Sequence, residues 1–178
     1  RSNFRMLSSI FEKLRGKTVL HMGCSDCGNE ESYLGVKVLN KVGVEPDIVD
    51  FSCGCDYFGI DEEKIKSLAK QNKKVLKGAK IIVGCARCYH VLRQYYDYAD
   101  VAHISHVIYE ELAEADPGHF IGSGDVFYHD PCFLSRYEKL TENPRKVLQI
   151  LGYNVREFKN NREKTDCCGD YSAVRVLR

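Results

Sequence analysis

Apolar residues arrive in short runs separated by longer amphipathic stretches. Residues 18–22, 47–51, 80–83 and 101–104 are compact and rich in Val and Ile, the pattern of short strands in a parallel sheet. Between them the period changes to that of helices. Leu34, Val38 and Val42 recur at helical spacing over residues 31–42, and Gly43 supplies a stop. Asp61 can cap a helix with apolar positions Ile65, Leu68, Val75 and Leu76, ended by Gly78. Further helices are expected after Cys88 to about Tyr98, and from Ser105 to Ala115. Strands alternating with helices imply a parallel sheet covered by helices.

Pro117, Gly118 and the stretch 122–124 form a linker, after which the order restarts. Residues 126–129 form a strand. Asn143 and Pro144 open a helix lined by Val147, Leu148 and Leu151 and ended by Gly152, and residues 154–158 form the next strand. The restart is an internal repeat: Cys24 lies 108 positions before Cys132, and Gly43 lies 109 before Gly152. The expected fold is therefore α/β, two Rossmann-like parallel-sheet units related by duplication, the second incomplete. The units span residues 18–122 and 123–178.

Charge and composition narrow the function. The chain has 178 residues, with 26 Lys+Arg against 25 Asp+Glu, a net charge of +1. That balance offers no electrostatic footprint for nucleic acid, and none is expected as a partner. No apolar run approaches the roughly 20 residues of a membrane-spanning helix. Hydrophobic residues are 44% and charged residues 29%, a globular composition. Residues 4–14, broken by Arg5, Glu12 and Lys13, do not read as a secretory signal. The outlier is cysteine, nine in all: Cys24, Cys27, Cys53, Cys55, Cys85, Cys88, Cys132, Cys167 and Cys168. In a chain long enough to bury a core without staples, metal or redox chemistry in a reducing cytoplasm is favoured over structural disulfides.

The spacing of these thiols carries the argument. Cys24 is followed after 28 residues by Cys53 and Cys55, and after 29 more by Cys85 and Cys88. Each group follows the end of an expected strand, and parallel strands end at one sheet edge, where open α/β folds bind ligands. Thiolate is the ligand that iron–sulfur centres and zinc prefer. Zinc and a cubane each take four ligands. Five strand-end cysteines, with Cys27 as a sixth, favour a larger or irregular iron–sulfur centre, zinc being the alternative in the first unit.

Other residues invite bland readings. His129 and Asp130 before Cys132 are either a proton donor beside the site or a satisfied turn. His103 and His106 fit a capping or core role. Tyr95, Tyr96 and Tyr98 fit packing, and the lysines of residues 70–80 a solvated helix face. No Walker lysine motif, Ser-His-Asp set or paired carboxylates stand out, so no catalytic residue is assigned.

Residues 128–132 (Tyr-His-Asp-Pro-Cys), Asn143-Pro144-Arg145, residues 161–164 and Cys167-Cys168-Gly169 together resemble the cysteine-rich "CCG" domain. That family includes heterodisulfide reductase subunits of the B and D types and iron–sulfur subunits of glycolate and lactate oxidation. The resemblance implies that Cys24, Cys53, Cys55, Cys85 and Cys88 hold the first centre, and that Cys132, Cys167 and Cys168 belong to the second. It also implies [4Fe–4S] clusters, non-cubane where five cysteines bind. The implied activity passes electrons from a flavin or iron–sulfur partner subunit to a disulfide or other acceptor, in the cytoplasm or at a membrane through that partner. A zinc-stabilised, non-catalytic scaffold or docking subunit is the rival. The first copy departs from the family, reading Cys53-Gly54-Cys55 where relatives have adjacent cysteines and then Gly. The second copy is expected to need a further Cys-x-x-Cys beyond Arg178, and residues 1–17 resemble a connector helix.

Overall fold

A computed structural model describes residues 14–23, 30–114 and 122–169. Cys24, Cys27, the linker at Pro117 and Gly118, and all but the end of the expected connector helix lie outside the described residues. Of that connector, residues 14–16 form a turn that leads into the first strand.

The chain divides into two compact units, Arg1–Val107 and Ile108–Arg178. The first is a four-stranded, fully parallel sheet. Its elements run β1 (Thr18–His21), α1 (Glu30–Lys41), β2 (Asp47–Val49), α2 (Glu62–Leu76), β3 (Lys80–Val83), α3 (Ala86–Tyr95) and β4 (Asp100–His103), with α4 (Ile104–Glu114) carrying the boundary. The strand order is β2-β1-β3-β4. Val19 is in register with Asp47 and Ile81, and Val83 with His103. β1 and β3 are therefore central, and Val19, Leu20, Ile81, Ile82 and Val83 are buried, as expected of strands covered on both faces.

The helices follow their sequence signals with three differences. Asp61 caps α2 as expected, accepting from the Lys64 N–H at 2.9 Å, and Ile65, Ala69 and Leu76 are its buried residues. α1 presents another face. Leu34 and Val38 are 53% and 40% exposed, while Leu39 is fully buried. Gly35 sets this rotation, since a Cβ there would lie 3.3 Å from the Ile104 side chain. α3 begins at Ala86, so Cys88 sits in its first turn and does not precede it; Cys85 is the N-cap. In the second unit Thr141 is the N-cap of α5 (Glu142–Ile150), and Asn143 and Pro144 fall inside its first turn. The first-turn position still suits a proline, because no N–H there has an intrahelical partner to lose.

The second unit repeats strand–helix–strand: β5 (Asp125–Tyr128), α5 and β6 (Asn154–Glu157), with β5 and β6 parallel and Val126 opposite Val155. Gly43 and Gly152 both follow their helix with positive φ, 86° and 92°, which matches the duplicated C′ stop. Gly152 is also held by space. A Cβ there would lie 2.5 Å from the Gly122 carbonyl oxygen. Gly152→Ala combines left-handed strain with a backbone clash, so we expect it to destabilise the second unit by about 2 kcal/mol. An unchanged urea midpoint for that unit would show the close approach to be unimportant.

Candidate functional site

β1, β2 and β3 run the same way, so their carboxyl ends meet at one edge of the first unit. There the chain turns from β2 into Cys53-Gly54-Cys55, and from β3 into Cys85 and α3. Cys53, Cys55 and Cys88 are 0%, 2% and 0% exposed, and the Cys55 and Cys88 Sγ atoms are 3.5 Å apart. The intervening Gly54 explains the departure from adjacent cysteines. Its φ is +88°, and a Cβ would press 3.3 Å against the Ile65 backbone of α2. In an extended strand two thiols two residues apart share a face, but the segment has left the strand. The left-handed glycine feeds the single turn Cys55–Tyr57, and both thiols end buried.

Side chains pin this turn. The Tyr96 hydroxyl donates to the Cys53 carbonyl at 3.1 Å, and Asn72 Nδ2 donates to the Ser52 carbonyl and to Tyr96 Oη. Tyr98 donates to the Ala69 carbonyl at 2.7 Å, and Tyr96 is 1% exposed, so these two tyrosines pack the unit. His103, 6% exposed, accepts from Ser105 at Nδ1 and donates from Nε2 to the Gly84 carbonyl, which steadies the residue before Cys85. It is a satisfied core histidine; burial pushes its pKa down to about 4.

Cys85 is exposed and stands at the N-terminus of α3. A hydrogen bond from Cys88 lowers the Cys85 thiol to about 6 against the cost of partial burial, helped by the backbone N–H groups of Cys88 and Arg87 and by the Arg87 charge. Arg87 pairs with Asp56 at 3.4 Å. Burial works against its charge, but Cys55, Asp56, Cys85 and Cys88 outweigh it and hold the guanidinium ionised. Sequence reading passed over Arg87, whose signal was its place between Cys85 and Cys88. It also passed over His21, the last residue of β1, whose ring atoms lie with the Cys53 and Cys88 sulfurs within 4.8 Å of one another. Of the five expected first-centre residues, Cys53, Cys55, Cys85 and Cys88 thus stand at one edge, and Cys24 lies outside the described residues. Gly23, the residue before it, runs beside Cys85.

In the second unit Cys132 follows β5 and leads into the turn Phe133–Tyr137. Burial raises its thiol pKa, and the nearby Cys167 and Cys168 raise it further. The three cysteines are thus neighbours, with Cys167 and Cys168 exposed. Soft thiols converging on one place suit an iron–sulfur centre by donor chemistry.

A buried ion network positions them. Arg145, 3% exposed, donates bidentately to Asp130, 1% exposed, at 2.7 and 2.6 Å. It also donates to Glu157 on β6 and to the Thr141 carbonyl. Asp130 accepts from the Arg162 N–H at 2.6 Å, and its carbonyl accepts from the Thr165 hydroxyl at 3.0 Å. Arg136 donates to the Thr165 carbonyl, and His129 Nε2 donates to the Asp166 carbonyl at 3.0 Å. The segment before Cys132 is therefore laced to the segment before Cys167. His129 takes the satisfied-turn reading. Burial opposes ionisation of Asp130, but the Arg145 and Arg162 hydrogen bonds prevail and hold its pKa below the usual carboxylate value. Arg162 adopts φ 52°, a strained conformation that its N–H bond to Asp130 offsets.

The chain matches the cysteine-rich domain CCG over residues 18–93 and 126–177, one match in each unit. It belongs to that family. It is 30% identical over 147 residues to the EtfAB:quinone oxidoreductase of Syntrophomonas wolfei, covering 75% of this chain and 20% of that protein. It is also 30% identical over 160 residues to the D-type subunit of the dihydromethanophenazine:CoB–CoM heterodisulfide reductase of Methanosarcina acetivorans, covering 79% of this chain and 39% of that protein. Lactate utilization protein A of Oceanobacillus iheyensis is 29% identical over 154 residues, covering 75% of this chain and 62% of that protein. The chain spans a fifth to two fifths of the first two of these relatives. No solved structure matches it.

Two outcomes follow from the site's supports. Arg145→Ala strips a buried carboxylate of its partner and should cost the second unit about 3–5 kcal/mol, seen as a lower urea midpoint; a loss under 1 kcal/mol would contradict the network's role. The units should also respond differently to acid. His103 stays neutral in the folded state down to about pH 4 while the unfolded histidine protonates near 6.5. Stability of the first unit should therefore fall between those values, by at most about 3 kcal/mol. The depressed carboxylates Asp130 and Glu157 stabilise the second unit above their unfolded pKa values near 4, and that stability drains away only below them. His103→Gln should flatten the loss between pH 6.5 and 4, and equal slopes for the variant and parent would refute this assignment.

Proposed function

We propose that the chain is the cysteine-rich part of an iron–sulfur oxidoreductase subunit of the heterodisulfide reductase B/D type. In this reading residues 18–122 and 123–178 are two cysteine-rich units behind a connector at residues 1–17. The observation that carries it is the meeting of Cys132, Cys167 and Cys168 in the second unit, held by the Asp130–Arg145 network. These cysteines would hold a [4Fe–4S] cluster, and a bound cluster supplies electron transfer. The chain's own contribution is positional: Arg145, Arg136 and His129 keep the two cysteine-bearing segments together, and Arg136 adds positive charge beside Cys132.

The named relatives support a redox setting. One belongs to a heterodisulfide reductase, one is an EtfAB:quinone oxidoreductase, and one belongs to a fumarate reductase (CoM/CoB). Electrons would come from a flavin or iron–sulfur partner subunit and pass to a disulfide or another acceptor. Another relative, from Chromohalobacter salexigens, is named as a probable membrane-anchored ferredoxin. No helix among the described residues is long and apolar enough to cross a membrane. In this reading the subunit works in the cytoplasm, or at a membrane through a partner.

The test is metal and sulfide analysis of the full chain purified without oxygen, with electron paramagnetic resonance before and after reduction. We expect iron with acid-labile sulfide, lost in Cys132→Ser and Cys168→Ser. Zinc alone, with no sulfide and no reducible signal, would replace this reading with that of a zinc-stabilised scaffold.

A further inference from the structure

Among the described residues, the arginines of the second unit are balanced with one exception. Arg145 pairs with Asp130 and Glu157, Arg156 with Asp125, and Arg162 with Glu142. Arg136 forms no ion pair among the described residues, and its guanidinium donates to the Thr165 carbonyl instead. A carbonyl is satisfied by any neutral N–H, so this contact holds the side chain in place without cancelling its charge.

The backbone sets where that charge stands. Residues Phe133–Tyr137 form a single π-helical turn directly after Cys132, closed by the Glu138 N–H on the Phe133 carbonyl at 3.3 Å. Such wide turns are rare and gather at functional sites. Leu134 and Ser135 are 2% and 0% exposed and anchor the turn in the interior. Arg136 leaves it toward Thr165, which is itself fully buried and donates to the Asp130 carbonyl at 3.0 Å. Thr165 stands two residues before Cys167. This guanidinium thus bridges the Cys132 turn and the segment that leads to Cys167 and Cys168, and its charge acts on the Cys132 thiol. Three thiolates bring negative charge to this place, and an electron arriving there adds more. A fixed cation close by stabilises the more negative state, and local charge is one of the influences that set the potential of an iron–sulfur centre.

We propose that Arg136 sets the reduction potential of the second centre, its uncompensated charge favouring the form that has taken up one electron. The proposal rests on the iron–sulfur reading of the second unit and names the residue that tunes it. No bond forms or breaks in the step: one electron arrives from a reductant, and the fixed positive charge offsets it. Arg136 acts through space and is exposed, so its field is screened by salt.

The experiment is a redox titration of the full chain, purified without oxygen, reduced stepwise with dithionite and followed by electron paramagnetic resonance at low and high ionic strength. Iron and sulfide are measured in every sample. We expect Arg136→Gln and Arg136→Met to keep the parent's iron and sulfide. At the parent's midpoint their ratio of reduced to oxidised centre should be about tenfold lower, a potential about 59 mV more negative for one electron. The difference should shrink in high salt. Arg136→Lys keeps the charge and should keep the parent's potential. Arg156→Gln, which removes an arginine already paired with Asp125, should also keep it. The parent's potential in both neutral variants would overturn the proposal, as would a shift in Arg136→Lys as large as in Arg136→Gln. Loss of iron and sulfide from both neutral variants would overturn it too, since Arg136 would then hold the site together and not tune it. A parent without iron and sulfide would instead sink the iron–sulfur reading itself, which sets that failure apart from the others.

Discussion

Parallel pairing of β1 with β2 and β3 is the constraint on which the first unit's chemistry rests. Parallel strands must return by a crossover, so successive strands end at the same edge however many residues lie between them. Cysteines after β2 and β3 can therefore share a site with His21 at the end of β1, although the three are far apart along the chain. Antiparallel pairing would have sent alternate groups to opposite edges. The buried strands that enforce this pairing, with Val19, Leu20, Ile81 and Ile82 in the interior, also supply the unit's apolar core.

The second unit starts from the same supersecondary design but holds its cysteines by other means. Among the described residues its buried set is rich in polar groups, with Asp130, Ser135, Arg145 and Thr165 all below 4% exposed. A buried ion pair is often no more stabilising than apolar packing would be, but removing one partner is severe. Arg145 makes that asymmetry useful. Its planar guanidinium serves Asp130 and Glu157 at once, so the strand ends and the segment leading to Cys167 are joined by directional bonds. Apolar contacts alone would leave such segments free to slide; forked hydrogen bonds specify one arrangement.

Duplication thus need not mean equal function. Each unit matches the same family and repeats strand–helix–strand, with a left-handed glycine after the helix. Yet the donor sets differ. One edge collects a histidine and three buried thiols around Gly54, while the other brings together three thiols that are exposed or half-buried. A glycine between two cysteines and a histidine at a strand end distinguish the first edge from the second.

Periodicity alone was enough to read the α/β class, the alternation of strand and helix, the cap at Asp61 and the repeat, because these depend on local spacing and on residues with strong backbone preferences. The family resemblance, too, was carried by residues close together in the chain. Burial around a helix axis was less legible. Leu34 and Val38 have helical spacing, but the close approach allowed by Gly35 turned Leu39 inward instead. The start of α3 was misplaced because Cys85 carries no strong capping signal, and only the geometry after β3 makes it the N-cap. Arg145 stood in the sequence beside Asn143 and Pro144 as part of a motif, without its partners Asp130 and Glu157. His21 read as one residue of a strand. Its lack of a hydrogen-bond partner and its nearness to Cys53 and Cys88 arise from long-range packing, since a buried side chain's neighbours are set by strand pairing and chain crossings that local spacing does not encode.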